Sequence, residues 1–233
     1  MSRHFAHAPD IWADYPELAA GVVHATGITP DVDTGPAVAR FSAAAAARLG
    51  GGSESDLPEI RAWRRGFARM GLKPTQYRCA SEALLRRFRK EGELPRIHPL
   101  VDLCNAISLA FAIPVAAIDL DRIDGALEVR YATGAETYLA FSGVAEHPDP
   151  REVIFADAGG GAHARRWTNR QSGQSAVRDG TRTVLIVAEA LHESAASDTA
   201  KLAETVADEL RAAWAVPATT ATLSATSAHF PIP

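Results

Sequence analysis

The sequence is poor in the residues that most directly signal covalent cross-links or insertion into a membrane. It has two cysteines among 233 residues, Cys79 and Cys104, and neither has a histidine nearby at a metal-site spacing. Both fall in predicted helices, so we expect two buried, reduced thiols. No apolar run reaches the roughly 20 residues needed to cross a bilayer, and the opening MSRHFAHAPDIW lacks the apolar core of a secretory signal. These absences predict a cytoplasmic protein with no membrane partner.

Common catalytic and cofactor-binding motifs are missing as well. No Gly-x-Ser-x-Gly nucleophile elbow occurs. The run Gly159–Gly161 leads neither into a predicted helix nor to a Lys-Ser/Thr pair, so it predicts a hairpin turn and not a phosphate cradle. His147, His163 and His192 could approach a pocket, but no pair has metal-site spacing. We therefore expect neither a cofactor nor a metal.

Charge is distributed unevenly along the chain. The formal net charge is −4, yet the segment 61–96 has eleven basic and three acidic residues, a local charge of +8 that leaves −12 for the rest. A basic stripe on an acidic protein can hold a phosphate backbone. The candidate RNA-backbone contacts are Arg64, Arg65, Arg69, Arg86, Arg87 and Lys90. The alternative is a solvated helix surface paired with acids from elsewhere in the fold, and both remain open.

The order of predicted elements indicates an α+β fold. Helices are predicted at about 36–49, 58–70, 80–90, 100–111 and 198–214, and strands at VVHATGI, ALEVRYA, ETYLAF, EVIFAD, TVLIVAEA and ATLSA. Because most helices precede most strands, the pattern favours a single domain with a mixed or mostly antiparallel sheet flanked by helices over a doubly wound fold. We expect residues 1–35 to form an N-terminal strand and extension packed on a domain of residues 36–233.

Two polar side chains interrupt the apolar helix predicted at 100–111. Asp102 and Asn105 are three residues apart, so both can point to the same side. Each is costly on an apolar helix unless it is hydrogen-bonded. They either fix neighbouring loops or, in the case of Asn105, line a pocket.

An Asp-x-x-Asn pair follows a proline in LPRIHPLVDLCNAISLAF, and the run PVAAID comes after it. On these motifs the segment from Gly71 to Arg130 resembles the B3/B4 editing module of the bacterial phenylalanyl-tRNA synthetase beta subunit. In the synthetases the matching asparagine lies close to the editing pocket, which implies the same for Asn105. The synthetases usually have a histidine in the second motif, where this chain has Ala116.

A second signature, ARRWTNRQS followed by DGT and the strand TVLIV, is similar to free-standing B3/B4-domain proteins of bacteria, and the match extends over roughly residues 63–189. A glutamate position of the synthetases falls near Gln171. Guanidinium groups bind carboxylate or phosphate through paired hydrogen bonds, and an indole adds an apolar wall. The candidate substrate-binding residues are Asn105, Ala116, Arg166, Trp167, Asn169, Arg170 and Gln171. The alternative for the arginines is a hairpin salt-bridged to Glu82, Asp157 or Asp179.

The resemblance implies a stand-alone aminoacyl-tRNA editing hydrolase that removes a wrong amino acid, with an aromatic or other bulky side chain as the expected specificity. The implied partners are tRNA or aminoacyl-tRNA and a small amino-acid ligand, and no catalytic residue is assigned. A second hypothesis, motivated by Ala116 and Gln171, is a non-catalytic module that binds an amino acid or an aminoacyl-RNA end. A third is a hydrolase of a free amino-acid derivative. Nothing in the sequence indicates the oligomeric state.

Overall fold

The fold is built from two β-sheets and six α-helices within residues 3–232, the part of the chain that the computed structural model describes. The helices are α1 (Pro9–Asp14), α2 (Gly35–Leu49), α3 (Pro58–Arg69), α4 (Ala80–Glu91), α5 (Pro99–Phe111) and α6 (Ala195–Trp214). The strands are β1 (His4–His7), β2 (Ala19–Thr26), β3 (Val115–Asp119), β4 (Leu127–Tyr131), β5 (Thr137–Leu139), β6 (Ala145–Glu146), β7 (Val153–Asp157), β8 (Gly161–Arg165), β9 (Arg170–Gln171), β10 (Thr183–Ala190), β11 (Ala218–Leu223) and β12 (His229–Pro231).

The strands divide between a mixed sheet and an antiparallel one. The larger sheet has the order β12-β1-β4-β7-β8-β5-β6, with β9 paired to β8, and its β1–β4 and β5–β8 pairs are parallel. The smaller sheet has the order β11-β2-β10-β3 and is antiparallel throughout. The predicted α+β class with mixed and antiparallel strands is confirmed, and the structure adds that there are two sheets where the pattern indicated one.

The N-terminal residues contribute strands to the interior of both sheets. β1 lies between β12 and β4, and β2 lies between β11 and β10. The division of the chain at residue 35 stays a prediction. Residues 1, 2 and 233, which the two predicted regions include, lie outside the described part. Within that part no helix is long and apolar enough to cross a membrane.

The helices predicted from the sequence are present, and α3 shows which residues set their ends. α3 begins with Pro58, whose missing N–H costs nothing in a first turn, and buries Ile60, Trp63 and Phe67 on one face. It ends just before Gly71, which has a φ of +74°. The tryptophan is therefore a core residue.

Both faces of β10 are covered by apolar side chains. Leu185 and Val187 belong to one core cluster together with Trp63, whereas Val184 and Ile186 belong to the other. Successive strand residues point to opposite faces, so a strand buried on both sides appears as a continuous apolar run. TVLIVAEA is such a run, with one acid inside it.

The smaller sheet packs tightly against α6. A Cβ at Gly21 in β2 would lie 2.3 Å from the backbone oxygen of Thr199 in α6. Only glycine permits that approach, which brings the helix onto the sheet and closes the second core cluster.

Candidate functional site

A cavity of about 60 Å³ lies where β3, β10, the start of α4 and the turn between β8 and β9 meet. We call it the hairpin cavity. Its apolar walls include Ala80, Pro114, Val115, Phe155, Ala164 and Val187. Five of the seven predicted binding residues also line it: Ala116, Trp167, Asn169, Arg170 and Gln171. Two segments chosen from separate sequence motifs thus converge on one site.

The structure does not bring the other two predicted binding residues to this cavity. Asn105 lines two neighbouring cavities of about 210 Å³ and 130 Å³, the smaller of which shares Val115 and Gln171 with the hairpin cavity. Arg166 lies over the ring of Tyr77, 4.8 Å from its centroid, and 4.0 Å from Glu152. α5 and an ion pair thus hold these two side chains outside the hairpin cavity, and their part in ligand binding stays a prediction.

The turn that forms one wall has an unusual backbone. Arg166 and Trp167 have φ values of +48° and +56°, in the left-handed region that side chains other than glycine rarely adopt. The conformation buries the indole of Trp167 completely, in edge-to-face contacts whose ring centroids are 5.0 Å apart for Trp63 and 4.8 Å apart for Tyr15. Packing of three aromatic rings stabilises a turn that would otherwise be unfavourable.

Glu189 is a wall residue that the sequence arguments missed. It is 2% exposed, and its Oε1 accepts hydrogen bonds from Trp167 Nε1 at 2.9 Å and from His7 Nε2 at 2.7 Å. Within the described residues no arginine or lysine forms an ion pair with it. The available signal was an acid inside the apolar run TVLIVAEA, where an unpaired charge is costly and calls for an explanation.

Two glutamates neutralise most of the arginine charge around the hairpin. Arg165 Nε and Nη2 donate to the two oxygens of Glu152, both at 2.9 Å, and its Nη1 donates to Glu146 at 2.6 Å. Arg170 donates to both oxygens of Glu146 at 3.0 Å, and this contact lowers the pKa of the Glu146 carboxyl. The salt-bridged hairpin therefore exists, but the predicted partners Glu82, Asp157 and Asp179 were wrong.

The amide side chains of the cavity wall hold the surrounding backbone in place. Asn169 Nδ2 donates to the carbonyl oxygen of Arg78 at 2.8 Å, and Gln171 Nε2 donates to that of Ala117 at 2.7 Å. Each amide nitrogen carries a second hydrogen that can face a ligand. Thr168, another wall residue, has a buried hydroxyl with no hydrogen-bond partner among the described residues.

Two aspartates near the motifs that carry the resemblance have structural roles. Asp102 Oδ1 accepts from the backbone nitrogen of Ile97 at 2.8 Å, fixing the loop before α5. Asp119 accepts from the backbone nitrogen of Asp121 at 3.0 Å and from the Thr181 hydroxyl at 2.7 Å. Both therefore satisfy local donors, and neither is a candidate base.

One buried hydrogen-bonded series resembles a hydrolase triad and consists of Asp157, His163 and Ser175. His163 Nε2 lies 3.0 Å from Asp157 Oδ2, and its Nδ1 lies 2.9 Å from Ser175 Oγ. Both His163 and Ser175 are 0% exposed, so no substrate can reach the hydroxyl. Burial lowers the pKa of His163 despite the opposing effect of Asp157, which leaves a neutral ring. These hydrogen bonds stabilise the β7–β8 region. The glycines between the two strands form the predicted hairpin turn.

One group of possible metal ligands is dispersed in the sequence but close together in the fold. The possible ligand atoms of Glu59, His192 and Asp198 all lie within 4.8 Å of one another. Arg48 already forms an ion pair with Glu59. Burial acts to raise the pKa of Asp198, but hydrogen bonds from Ser194 and His192 and the charge of Arg48 lower it. A metal ion here would have to compete with the guanidinium of Arg48.

Four of the six predicted RNA contacts form ion pairs inside the fold. Arg64 pairs with Glu82, Arg69 with Glu17, Arg86 with Glu54 and Arg87 with Glu91. Arg65 and Lys90 are exposed, and no described residue forms an ion pair with either. Much of the basic stripe is therefore an acid-paired helix surface, the alternative left open by the sequence.

Comparison with known proteins places the cavity within a recognised domain. Residues 62–211 match the family described as the B3/4 domain. The chain is 30% identical over 95 residues to the phenylalanine–tRNA ligase beta subunit of Mycobacterium leprae (strain TN), covering 40% of this chain and 11% of that protein. It is 29% identical over 126 residues to the same subunit of Yersinia pestis, covering 49% of this chain and 14% of that protein.

A crystal structure of an N-terminal fragment of the phenylalanyl-tRNA synthetase beta-subunit from Pyrococcus horikoshii is similar at 9% identity, with a TM-score of 0.47, over 92% of this chain and 49% of that chain. The chain spans only 10–14% of the length of the curated relatives it matches. The family match covers well over half of the chain, including every residue of the hairpin cavity. The chain therefore belongs to the B3/4 domain family.

Proposed function

We propose that this chain is an aminoacyl-tRNA editing hydrolase that binds the aminoacyl end of a wrongly charged tRNA in the hairpin cavity. One observation carries the proposal: the two segments that resemble the editing module meet at a single cavity that also contains a buried carboxylate, Glu189. The tRNA is suggested by the relatives, which are tRNA ligase subunits by name.

Hydrolysis of such an ester requires a positioned water, a site for the α-amino group and donors for the developing oxyanion. The Thr168 hydroxyl and the second amide hydrogens of Asn169 and Gln171 can donate from the cavity wall. Water and the hydroxyls of the terminal ribose supply the remaining polar groups, so the proposal assigns no general base to the chain.

Arg170 provides the charged edge of the cavity. Its side chain is 38% exposed, and its guanidinium lies 5.1 Å from the ring centroid of Tyr138 while it pairs with Glu146. An exposed ion pair is weak enough to exchange partners. A phosphate of the tRNA end can thus replace Glu146 at this guanidinium.

The test is deacylation of a panel of correctly and wrongly charged tRNAs, beside an editing-competent enzyme. We expect selective hydrolysis that Arg170→Ala abolishes. Arg211→Ala is the matched control, because Arg211 also forms an ion pair but on the exposed face of α6, and it should leave the rate unchanged. Failure to deacylate any tRNA of the panel would contradict the proposal.

A second candidate, a non-catalytic binding module, is favoured by a specific observation. Ala116 places no imidazole at the cavity, and one hydrogen of the Gln171 amide is committed to the carbonyl of Ala117. Ligand binding without turnover in the same assays would support this function. Turnover of an amino-acid ester that is insensitive to salt would instead indicate a hydrolase without tRNA, since phosphate contacts weaken steeply with ionic strength.

A further inference from the structure

We propose that Glu189 anchors the α-ammonium group of the ligand, and that the hairpin cavity selects an aminoacyl group with a small aliphatic side chain. The inference rests on the proposed function and specifies the substrate class of that site. It also differs from the aromatic specificity that the family resemblance implied.

The electrostatic argument begins with the position of the carboxylate. Glu189 is 2% exposed in a strand covered on both faces, where an ionised group is costly without a compensating charge. Trp167 and His7 donate hydrogen bonds to it, but no described lysine or arginine pairs with it. The cavity beside it is the remaining side from which a cation can approach. A ligand ammonium would supply the missing positive charge.

The hydrogen bonds leave one oxygen for the ligand. Both side-chain donors reach Oε1 of Glu189, and among the described residues no hydrogen bond reaches Oε2. His7 is itself 2% exposed, and its Nδ1 has no partner in the described residues. His7 and Trp167 thus orient the carboxylate through Oε1 and leave Oε2 without a donor from the described residues.

The volume of the cavity limits the side chain. It measures about 60 Å³, whereas a cavity of roughly 150 Å³ is known to admit benzene. Ala80, Ala116, Ala164 and Val187 shape the walls, together with Phe155. These dimensions suit a methyl or isopropyl group and are less than half of those of the cavity that admits an aromatic ring.

The experiment is a titration of the full chain with three stable amides, followed by 1H–15N NMR. L-alaninamide has an ammonium and a small side chain, N-acetyl-L-alaninamide lacks the charge, and L-phenylalaninamide has the large ring. The indole N–H of Trp167 reports directly, because it donates to Glu189. We expect L-alaninamide to shift this resonance and to bind at least about tenfold more tightly than N-acetyl-L-alaninamide, which cannot form the charge-assisted hydrogen bond. It should also bind at least about tenfold more tightly than L-phenylalaninamide, because the large ring overpacks the cavity.

Glu189→Gln separates charge from structure, since the amide oxygen can still accept from Trp167 and His7. The variant should bind L-alaninamide about tenfold more weakly or worse, while Glu204→Gln, on the exposed surface of α6, should bind as the parent does. If Glu189→Gln does not fold, the comparison of acetylated and free alaninamide on the parent chain decides whether the ligand ammonium contributes to binding.

Equal binding of the acetylated amide would overturn the ammonium anchor, and equal binding of L-phenylalaninamide would overturn the size limit. Absence of binding by all three amides would overturn the inference as a whole. The tRNA panel distinguishes that result from failure of the proposed function, because deacylation can still occur with a different mode of recognition.

Discussion

The guanidinium of Arg165 and the carboxylate of Glu152 form a bidentate ion pair whose side chains are 5% and 6% exposed. Glu152 also accepts from the backbone nitrogen of Arg166 at 2.8 Å, at the entrance to the left-handed turn. Burial acts to raise the pKa of Glu152, but these donors outweigh it and the pKa is lowered. The pair thus connects β8 to the turn that holds Trp167 in the cavity wall.

Glu152→Ala should destabilise the fold strongly, because it leaves the Arg165 guanidinium buried with only Glu146 to compensate it. Removing one partner of a buried pair costs about 3–5 kcal/mol. Denaturant unfolding measures the loss. The matched control is Asp208→Ala, since Asp208 pairs with Arg211 where both side chains are more than 60% exposed, and its effect should stay within about 0.5 kcal/mol. Equal effects of the two substitutions would contradict the assignment.

Glu136 should make stability sensitive to acid. Burial acts to raise its pKa, but hydrogen bonds from Arg130 Nη1 at 2.5 Å and from the backbone of Thr133 lower it from 4.5 to about 2. A carboxyl with a lowered folded-state pKa contributes stability above its unfolded pKa and loses it as the pH falls towards the folded one.

The stability advantage of the parent over Glu136→Gln should therefore be constant near neutral pH. It should shrink by roughly 3 kcal/mol between about pH 5 and pH 2, at 1.36 kcal/mol per pKa unit. Urea unfolding of both proteins across that range measures it. A difference that does not change with pH would show that Glu136 is not held by these charge-dependent contacts.

The fold class and the long helices were accessible from the sequence because they depend on local patterns. α3, for example, has a proline at its start, a glycine after its end and one apolar face. β1 was not accessible, because four residues pair with β4 and β12 from distant parts of the chain. Strands such as this are specified by tertiary pairing and hardly by propensity.

Within the site, the sequence led to residues 166–171 as a group but could not tell which side chains face the cavity. Arg166 and Trp167 adopt left-handed conformations that no local motif announces, so their directions follow from packing. The ion-pair partners Glu146 and Glu152 were missed for a related reason, because β6 and the loop before β7 meet the hairpin only in the folded chain. Glu189 was visible as an anomaly in an apolar strand, but its neighbours His7 and Trp167 were not.

Both cysteines should resist alkylation in the native protein. Cys79 and Cys104 are 0% and 3% exposed, and burial raises the pKa of each thiol to about 12. The reactive thiolate is therefore scarce at pH 8 and also inaccessible. We expect no modification by iodoacetamide under native conditions and modification of two thiols in denaturant, as mass spectrometry would show. Rapid labelling of either residue in the folded chain would contradict its buried position.

Ala116 occupies the point at which the resemblance leads one to expect a histidine, and its small size is what leaves the hairpin cavity open. Ala116→Leu should place its added carbons in a space of about 60 Å³ and so reduce binding of L-alaninamide by tenfold or more, while the chain stays folded. Ala116→Ser adds a single atom and should retain most of the affinity. Ala44→Leu is the control, because Ala44 lies on the exposed surface of α2.

Ala116→His distinguishes a cavity that lost its imidazole from one that is shaped by the alanine. If the cavity selects small groups, the ring should fill it and abolish amide binding without adding hydrolysis. NMR titration and the deacylation assay read the two effects separately. Gain of deacylation in Ala116→His, with binding retained, would instead mean that the site still accommodates the imidazole and that the alanine is not a determinant of size.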